Sequence, residues 1–190
     1  TWSRTWPSSW SWELFPRSLG LRRAYRRIVY AFTKLLMRFL YNKCDLLMVP
    51  STEVAELLGW EGIKTKKKVI HLGTDTTEFY PPKSKEEAKK AIGISADKKV
   101  IGFLGRIGRE KDLITLYRAF RRIRKERDDV MLLIVGTGVE SLQKIFESKK
   151  DIKFIGSTNY ILPYYQATYI YVLTSLTETT SLSTLEAMSC

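Results

Sequence analysis

At 190 residues and 44% apolar, the chain can bury a core and is sized for one or two domains. Two cysteines, Cys44 and Cys190, and a single histidine, His71, argue against a disulfide framework, a zinc site and any histidine-based metal cluster. The net charge of +12 calls for an anionic partner, but no recognised nucleic-acid motif accompanies it, so a basic nucleic-acid-binding module is the weaker function class.

The head, Thr1–Trp12, carries four of the five tryptophans and lacks the cleavage site and clean apolar stretch of a signal peptide. It is expected to be poorly ordered or to lean on the helix that follows. That helix is predicted over Leu19–Lys43. Residues 1–43 hold nine Arg or Lys against one acid, Glu13. Leu21, Tyr25, Ile28, Val29, Phe32, Leu35, Leu36, Phe39 and Leu40 recur at helical spacing. Arg22, Arg23, Arg26, Arg27, Lys34 and Arg38 lie largely on the other side. Such a basic amphipathic helix suits an anionic membrane surface. Lys34 and Arg38 interrupt the apolar run, so it is not a spanning segment. The competing reading is the last helix of a first domain whose apolar stripe is uncovered.

A short strand, Leu46–Val49, leads through Pro50 to a helix ending near Leu58, with Ser51 as its N-cap. Lys64–Lys68 reads as a basic turn and Val69–Ile70 as a strand. His71 reads as a packed or hinge residue rather than a catalyst. Pro81-Pro82 marks an interdomain linker and Glu86–Ile92 a helix. Strand and helix then alternate: strands near 99, 130, 152 and 169, helices near 112, 139, 161 and 181. Such alternation implies right-handed crossovers and a parallel sheet covered on both faces.

Two strand-to-helix junctions carry the candidate chemistry. After Lys99–Leu104 comes Gly105-Arg106-Ile107-Gly108-Arg109-Glu110-Lys111. The glycines permit a tight turn or a close backbone approach. Arg106 and Lys111 bring two cations to one sheet edge, a bidentate donor and a point charge for phosphate. Later, Glu178 and Glu186 stand with seven residues between them across the junction between the strand Tyr169–Thr174 and the helix from Leu182. Ligands of open α/β sheets bind at the carboxyl ends of the strands. Carboxylates there accept from sugar hydroxyls, and the first-turn N–H groups of the helix can hold phosphate. Sugar plus phosphate points to a nucleotide sugar. The bland alternative is a loop acid, a helix-surface acid and a solvated basic turn.

In order along the chain, Lys43–Ser51, Val69–Asp75 with Phe79 and Pro81, Gly105-Arg106 with Glu110-Lys111, Leu132–Gly138, Ile152–Gly156 and the glutamate pair ending in Glu186-Ala187-Met188 resemble glycosyltransferases of the family-4 (group 1) type with the GT-B architecture. The resemblance implies an α/β fold with a Rossmann-like parallel sheet. Residues 1–80 would be a helical remnant of the acceptor-side domain, and 81–190 a partial nucleotide-sugar-binding domain. It implies a retaining transfer of a hexose from a nucleotide-diphosphate sugar to a glycan or lipid acceptor, without a cofactor or an obligatory metal. Glu178, Arg106 and Lys111 would be catalytic. Gly105, Arg106, Lys111, Gly136, Glu178, Thr180, Ser181, Leu182 and Glu186 would bind the donor, Glu178 at the sugar hydroxyls, Glu186 at the ribose, and Ser181 and Leu182 through their N–H groups at phosphate. The setting would be cytoplasmic, peripheral to an anionic membrane through helix 19–43.

The sequence departs from the family pattern in places. Leu72 replaces an asparagine, and Thr179-Thr180-Ser181 replaces a glycine and aromatic between the glutamates. Cys190 falls inside the signature helix. The resemblance therefore implies a fragment, inactive and association-prone alone, or else a non-catalytic remnant that binds nucleotide or membrane.

Overall fold

The computed structural model describes residues 19–190 other than 148. The tryptophan-rich head lies outside the described residues, as do the side chains of Leu21, Arg22, Arg23 and Arg26. The chain divides into two compact units, Thr1–Leu72 and Gly73–Cys190. The Pro81-Pro82 segment already belongs to the second unit. Phe79 is buried in that unit's core, and its carbonyl accepts from Ser189 Oγ at 2.6 Å.

In the first unit, α1 spans Leu19–Tyr41, β1 Leu47–Val49, α2 Thr52–Trp60 and β2 Lys67–Val69. β1 and β2 pair in parallel, Leu47 opposite Lys67. β2 thus begins inside the expected basic turn. Its start is set where the Leu47 N–H reaches the Lys66 carbonyl at 2.9 Å. Ser51 caps α2, accepting from the Val54 N–H at 3.3 Å. His71, expected as packed or hinge-like, is exposed.

α1 is held by its polar side. Lys34 Nζ lies 2.7 Å from Glu61 Oε2, and Tyr30 donates to Glu61 Oε1 at 3.2 Å. Arg38 Nε donates to the Glu61 carbonyl. Asn42 donates to the Gly62 carbonyl at 3.2 Å and accepts from the Lys64 N–H at 2.6 Å. These groups sit where α2 ends and leaves polar backbone atoms without helical partners. The Lys34 hydrogen bond holds the Glu61 carboxyl below its usual range. Two of the cations that the spacing set opposite the apolar stripe, Lys34 and Arg38, are therefore engaged. The outward stripe is the apolar one, with Ile28, Phe32, Leu35 and Phe39 all exposed. Among the described residues no helix is long and apolar enough to cross a membrane.

The second unit begins with α3, Lys85–Ala91, capped by Ser84. β3 follows at Lys99–Leu104, then a one-turn 3₁₀ helix at Arg109–Lys111 and α4 at Leu113–Glu126. β4 spans Val130–Val135, α5 Glu140–Gln143, β5 Ile152–Ile155, α6 Leu162–Ala167, β6 Ile170–Tyr171 and α7 Leu182–Ser189. The four strands form one sheet in the order β5-β4-β3-β6, every pairing parallel. This is the Rossmann-like parallel sheet expected from the sequence.

β4 reads Val-Met-Leu-Leu-Ile-Val without polar interruption, as a strand covered on both faces must. Period-2 alternation sorts its side chains between two cores. Leu132 and Ile134 join Ile101, Phe103, Leu116 and Phe120 on one face. Leu133 and Val135 join Val100, Leu104, Phe79, Ile94 and Tyr165 on the other. α4 contributes Leu113, Leu116 and Phe120, at helical spacing, to the first core.

β6 is shorter than the predicted Tyr169–Thr174. Only Ile170 and Tyr171 pair with β3. Gly102 lets β3 and the approach to β6 close together, since a Cβ there would meet Thr168 Oγ1 at 2.4 Å. The Val172 N–H still donates to the Gly102 carbonyl at 2.9 Å, and beyond it the chain leaves the ladder. The Thr174 hydroxyl donates instead to the Lys111 and Asp112 carbonyls at 2.8 and 3.1 Å.

The two-sided core makes a direct expectation. Leu132 is fully buried, so Leu132→Ala should lower unfolding stability by about 2–5 kcal/mol. Ile123, 38% exposed on α4, should tolerate the same change with a loss below about 1 kcal/mol. Urea titrations of the two variants compare them directly.

Candidate active site

The strand order determines where the site lies. From β3 the chain moves outward to β4 and β5, then returns to place β6 on the other side of β3. The strand order reverses between β3 and β6, and at such a switch point open α/β sheets bind ligands in the crevice outside the carboxyl ends of the strands. The loop after β3 and the loop after β6 meet at this point. Leu176 N–H donates to the Glu110 carbonyl at 2.8 Å, and Thr174 grips the Lys111–Asp112 turn.

The first loop is built on backbone contacts. Gly105 and Gly136 both take positive φ, +151° and +136°. A Cβ on Gly136 would lie 2.0 Å from the Gly105 carbonyl oxygen. The loops after β3 and β4 therefore run in contact, and they continue the ladder. Ile107 N–H donates to the Thr137 carbonyl at 2.8 Å, and Val139 N–H to the Ile107 carbonyl at 2.8 Å. Ile107 is fully buried beneath. The glycines that the sequence marked for ligand approach thus serve a mutual approach of two backbones.

The loop ends at Asp112, whose φ of 44° and ψ of 47° are left-handed. Aspartate is among the residues that tolerate this region. Its carboxylate caps α4, accepting from the Thr115 N–H at 3.4 Å and from the Thr115 hydroxyl at 2.7 Å.

The charged side chains are placed by these turns. Lys111 Nζ lies 2.7 Å from Glu178 Oε2, joining residues 67 apart in sequence across the crevice. Arg106 is paired with Glu110 and remains 71% exposed. Each candidate phosphate-binding cation thus carries an internal carboxylate partner. Glu110, quoted by sequence only as part of the loop, is the partner that sequence reading left without a role.

Beside them, α7 begins at the N-cap Ser181, whose Oγ accepts from the Thr184 N–H at 3.2 Å. Ser181 Oγ also lies 3.0 Å from Ser183 Oγ. Tyr171 OH donates to Ser183 Oγ at 2.7 Å and sits 3.4 Å from the Leu104 carbonyl. Tyr171 thereby ties the last residue of β3 to the first turn of α7. Glu186 lies one turn further on, and its Oε2 accepts from Tyr165 OH at 2.6 Å. Tyr165 is 2% exposed. Burial first, and the Glu186 hydrogen bond second, push its hydroxyl far above the ordinary tyrosine range. Burial also raises Tyr171.

The structure thus brings Gly105, Arg106, Lys111, Gly136, Glu178, Thr180, Ser181, Leu182 and Glu186 to one edge of the sheet. Gly105, Arg106 and Lys111 stand in the loop after β3, Gly136 after β4, Glu178 and Thr180 in the loop after β6, and Ser181, Leu182 and Glu186 on α7. Tyr165, Tyr171 and Thr174 escaped sequence reading. They sit in apolar stretches, and their partners lie 21, 12 and 63 residues away. Among the described residues no three His, Cys, Asp or Glu side chains gather as a metal site.

With this geometry in place, the comparison with known proteins is decisive. Residues 84–190 match the family model for glycosyl transferases group 1. The chain belongs to that family. It is 30% identical over 171 residues to the alpha-monoglucosyldiacylglycerol synthase of Streptococcus pneumoniae, covering 84% of this chain and 38% of that one. It is 29% identical to the lipopolysaccharide core biosynthesis mannosyltransferase LpsB of Rhizobium meliloti, covering 98% and 56%. The chain therefore spans roughly two-fifths to just over half of these curated relatives. Among solved structures, the sucrose-phosphate synthase of Thermosynechococcus elongatus superposes with a TM-score of 0.68 at 25% identity, covering 92% of this chain and 44% of that one. Anabaena HepE in complex with UDP-glucose superposes at 0.73 and 18% identity, covering 90% and 54%, a likeness of fold. The group 1 match begins at the cap of α3 and covers every strand and loop of the site.

Two outcomes test this family site as a structure. Gly136→Ala sets a Cβ against the Gly105 carbonyl and forces a side chain into positive φ. It should destabilise the unit by at least about 1–3 kcal/mol, read by thermal unfolding. Tyr165 supplies a pH signature. Its folded pKa lies above the ordinary value of 10.0, so its contribution is complete below pH 10 and is lost as pH rises beyond it. Stability should fall more steeply above pH 10 in the parent than in Tyr165→Phe, in urea titrations from pH 8 to 11.

Proposed function

We propose that this chain carries the donor-binding part of a retaining glycosyltransferase that moves a hexose from a nucleoside-diphosphate sugar to a glycan or lipid acceptor. The observation that carries the proposal is the meeting of Lys111 and Glu178 at 2.7 Å, at the reversal point of the sheet and beside the N-terminus of α7. A cation, a carboxylate and free first-turn N–H groups within one crevice match the three parts of such a donor: diphosphate, sugar hydroxyls and further phosphate oxygens. The named activities of the curated relatives support the same class. One is a glucosyldiacylglycerol synthase and another a lipopolysaccharide mannosyltransferase.

The chemistry assigned to each residue follows from its charge and place. Departure of the nucleoside diphosphate builds negative charge on the phosphate oxygens. Arg106 and Lys111 stabilise that charge in the role a metal plays elsewhere, so no metal is obligatory. To do so they exchange Glu110 and Glu178 for the diphosphate. Glu178, released from Lys111, then accepts from the sugar hydroxyls. Ser181 and Leu182 direct N–H groups at phosphate, with Thr180 alongside. Glu186 accepts from the ribose hydroxyls. Gly105 and Gly136 keep the loop low enough for the donor to lie over it.

The relatives' names also favour a lipid-bearing acceptor, and α1 fits that setting. Its exposed Ile28, Phe32, Leu35 and Phe39 would enter the interface of an anionic membrane on the cytoplasmic face, with flanking Arg27 and Lys43 at the headgroups.

Lys111→Ala and Arg106→Ala should each weaken nucleoside-diphosphate binding by about 1.5–3 kcal/mol, the worth of a hydrogen bond to a charged group. Calorimetry that finds both variants unchanged removes the two cations from the site. Separately, the chain should sediment with phosphatidylglycerol vesicles in preference to phosphatidylcholine, with less bound as salt rises. Phe32→Glu should abolish sedimentation, and equal binding to both lipids would refute the electrostatic part.

A further inference from the structure

We infer that Tyr165 is a positioning residue for the nucleotide ribose, holding the Glu186 carboxylate in the orientation the ribose diol requires. The inference rests on the reading above that Glu186 meets the ribose, and it adds a residue from a different element.

Tyr165 is anchored as few side chains in this unit are. It is 2% exposed on α6, with its ring edge-on to Phe79 at 5.8 Å and tilted against Tyr171 at 6.2 Å. The ring has no freedom to follow a ligand. Its hydroxyl, in apolar surroundings, needs an acceptor, and it donates to Glu186 Oε2 at 2.6 Å. A glutamate on a half-exposed helix face otherwise samples several rotamers and loses that freedom on binding. With Oε2 taken by a fixed donor, the carboxylate plane is set before a ligand arrives. Oε1 has no partner among the described residues and is left for the diol.

A second tyrosine makes the assignment separable from a general role in holding α7. Tyr171 fixes the first turn of α7 through Ser183, which itself contacts the N-cap Ser181. That network governs the phosphate end of the helix. The Tyr165 hydroxyl acts one turn away, on Glu186 alone. Loss of the Tyr165 hydroxyl should therefore be felt through the ribose and not through phosphate.

The test uses the 190-residue chain and its Tyr165→Phe variant, with calorimetric titration of UDP, ADP and GDP to choose the base. The chosen diphosphate is then compared with its 2′,3′-dideoxy form and with inorganic pyrophosphate. Tyr165→Phe should weaken the ribonucleotide about tenfold, the scale of one hydrogen bond to a charged group. It should leave the dideoxy form and pyrophosphate within a factor of two. Equal weakening of all three ligands, or no change in the ribonucleotide, overturns the positioning role. Should Tyr165→Phe fail to fold, 4-aminophenylalanine at the same site keeps ring and donor. It should retain the ribonucleotide preference that Glu186→Gln loses, and loss of preference with the aminophenyl donor in place overturns the role as well. The underlying reading fails differently: a parent chain that binds ribo and dideoxy forms equally has no ribose contact at Glu186, whatever Tyr165 does.

Discussion

Two residue pairs, Ile101 with Ile170 and Gly102 with Tyr171, join β6 to β3, and the site depends on this short ladder. It sets residues from opposite ends of the second unit side by side. Without it, the loop carrying Lys111 and the loop carrying Glu178 would have no common edge. So short a ladder offers little hydrogen-bond energy of its own. It is reinforced past its end by side chains and loop backbone: Thr174 on the Lys111–Asp112 carbonyls, Leu176 N–H on Glu110, and Tyr171 OH toward Leu104 and Ser183. Polar contacts concentrate where the regular ladder stops, and there the candidate chemistry begins.

Much of this was legible in the sequence because it depends on local pattern. The unbroken apolar run of β4, the heptad-like spacing of Leu113, Leu116 and Phe120, and the serine cap at 51 each carry their structure in a few neighbouring residues. The order of strand, glycine-bearing loop and helix placed Arg106, Lys111 and the glutamates at one edge before any coordinates. What could not be read was pairing over distance. Nothing in Leu162–Ala167 distinguishes Tyr165 from a packing aromatic, since its partner is supplied by a helix 21 residues on. The end of β6 was missed for a related reason. Val172 and Leu173 have strand propensity, but past Val172 the chain is held by the Thr174 hydroxyl on the carbonyls of a turn more than 60 residues upstream.

The first unit shows the same limit with opposite sign. Amphipathic spacing in α1 was evident, yet spacing alone does not say which side faces the protein. In the structure it is the polar side that meets the protein, Lys34 and Arg38 engaging Glu61 at the end of α2. The apolar stripe is outward as a result.

Asp112 joins two demands that few residues meet together. Its backbone must be left-handed to turn the chain from the 3₁₀ helix into α4, and its side chain must cap the helix it starts. Glycine satisfies the first without the second, serine and threonine the second without the first, and asparagine alone shares both. The carbonyl of the same residue is held by Thr174, so the direction in which Lys111 leaves the loop is fixed from three sides at one α-carbon. Variation at position 112 should therefore be confined to the Asp–Asn pair, with the aim of the lysine as the trait under selection.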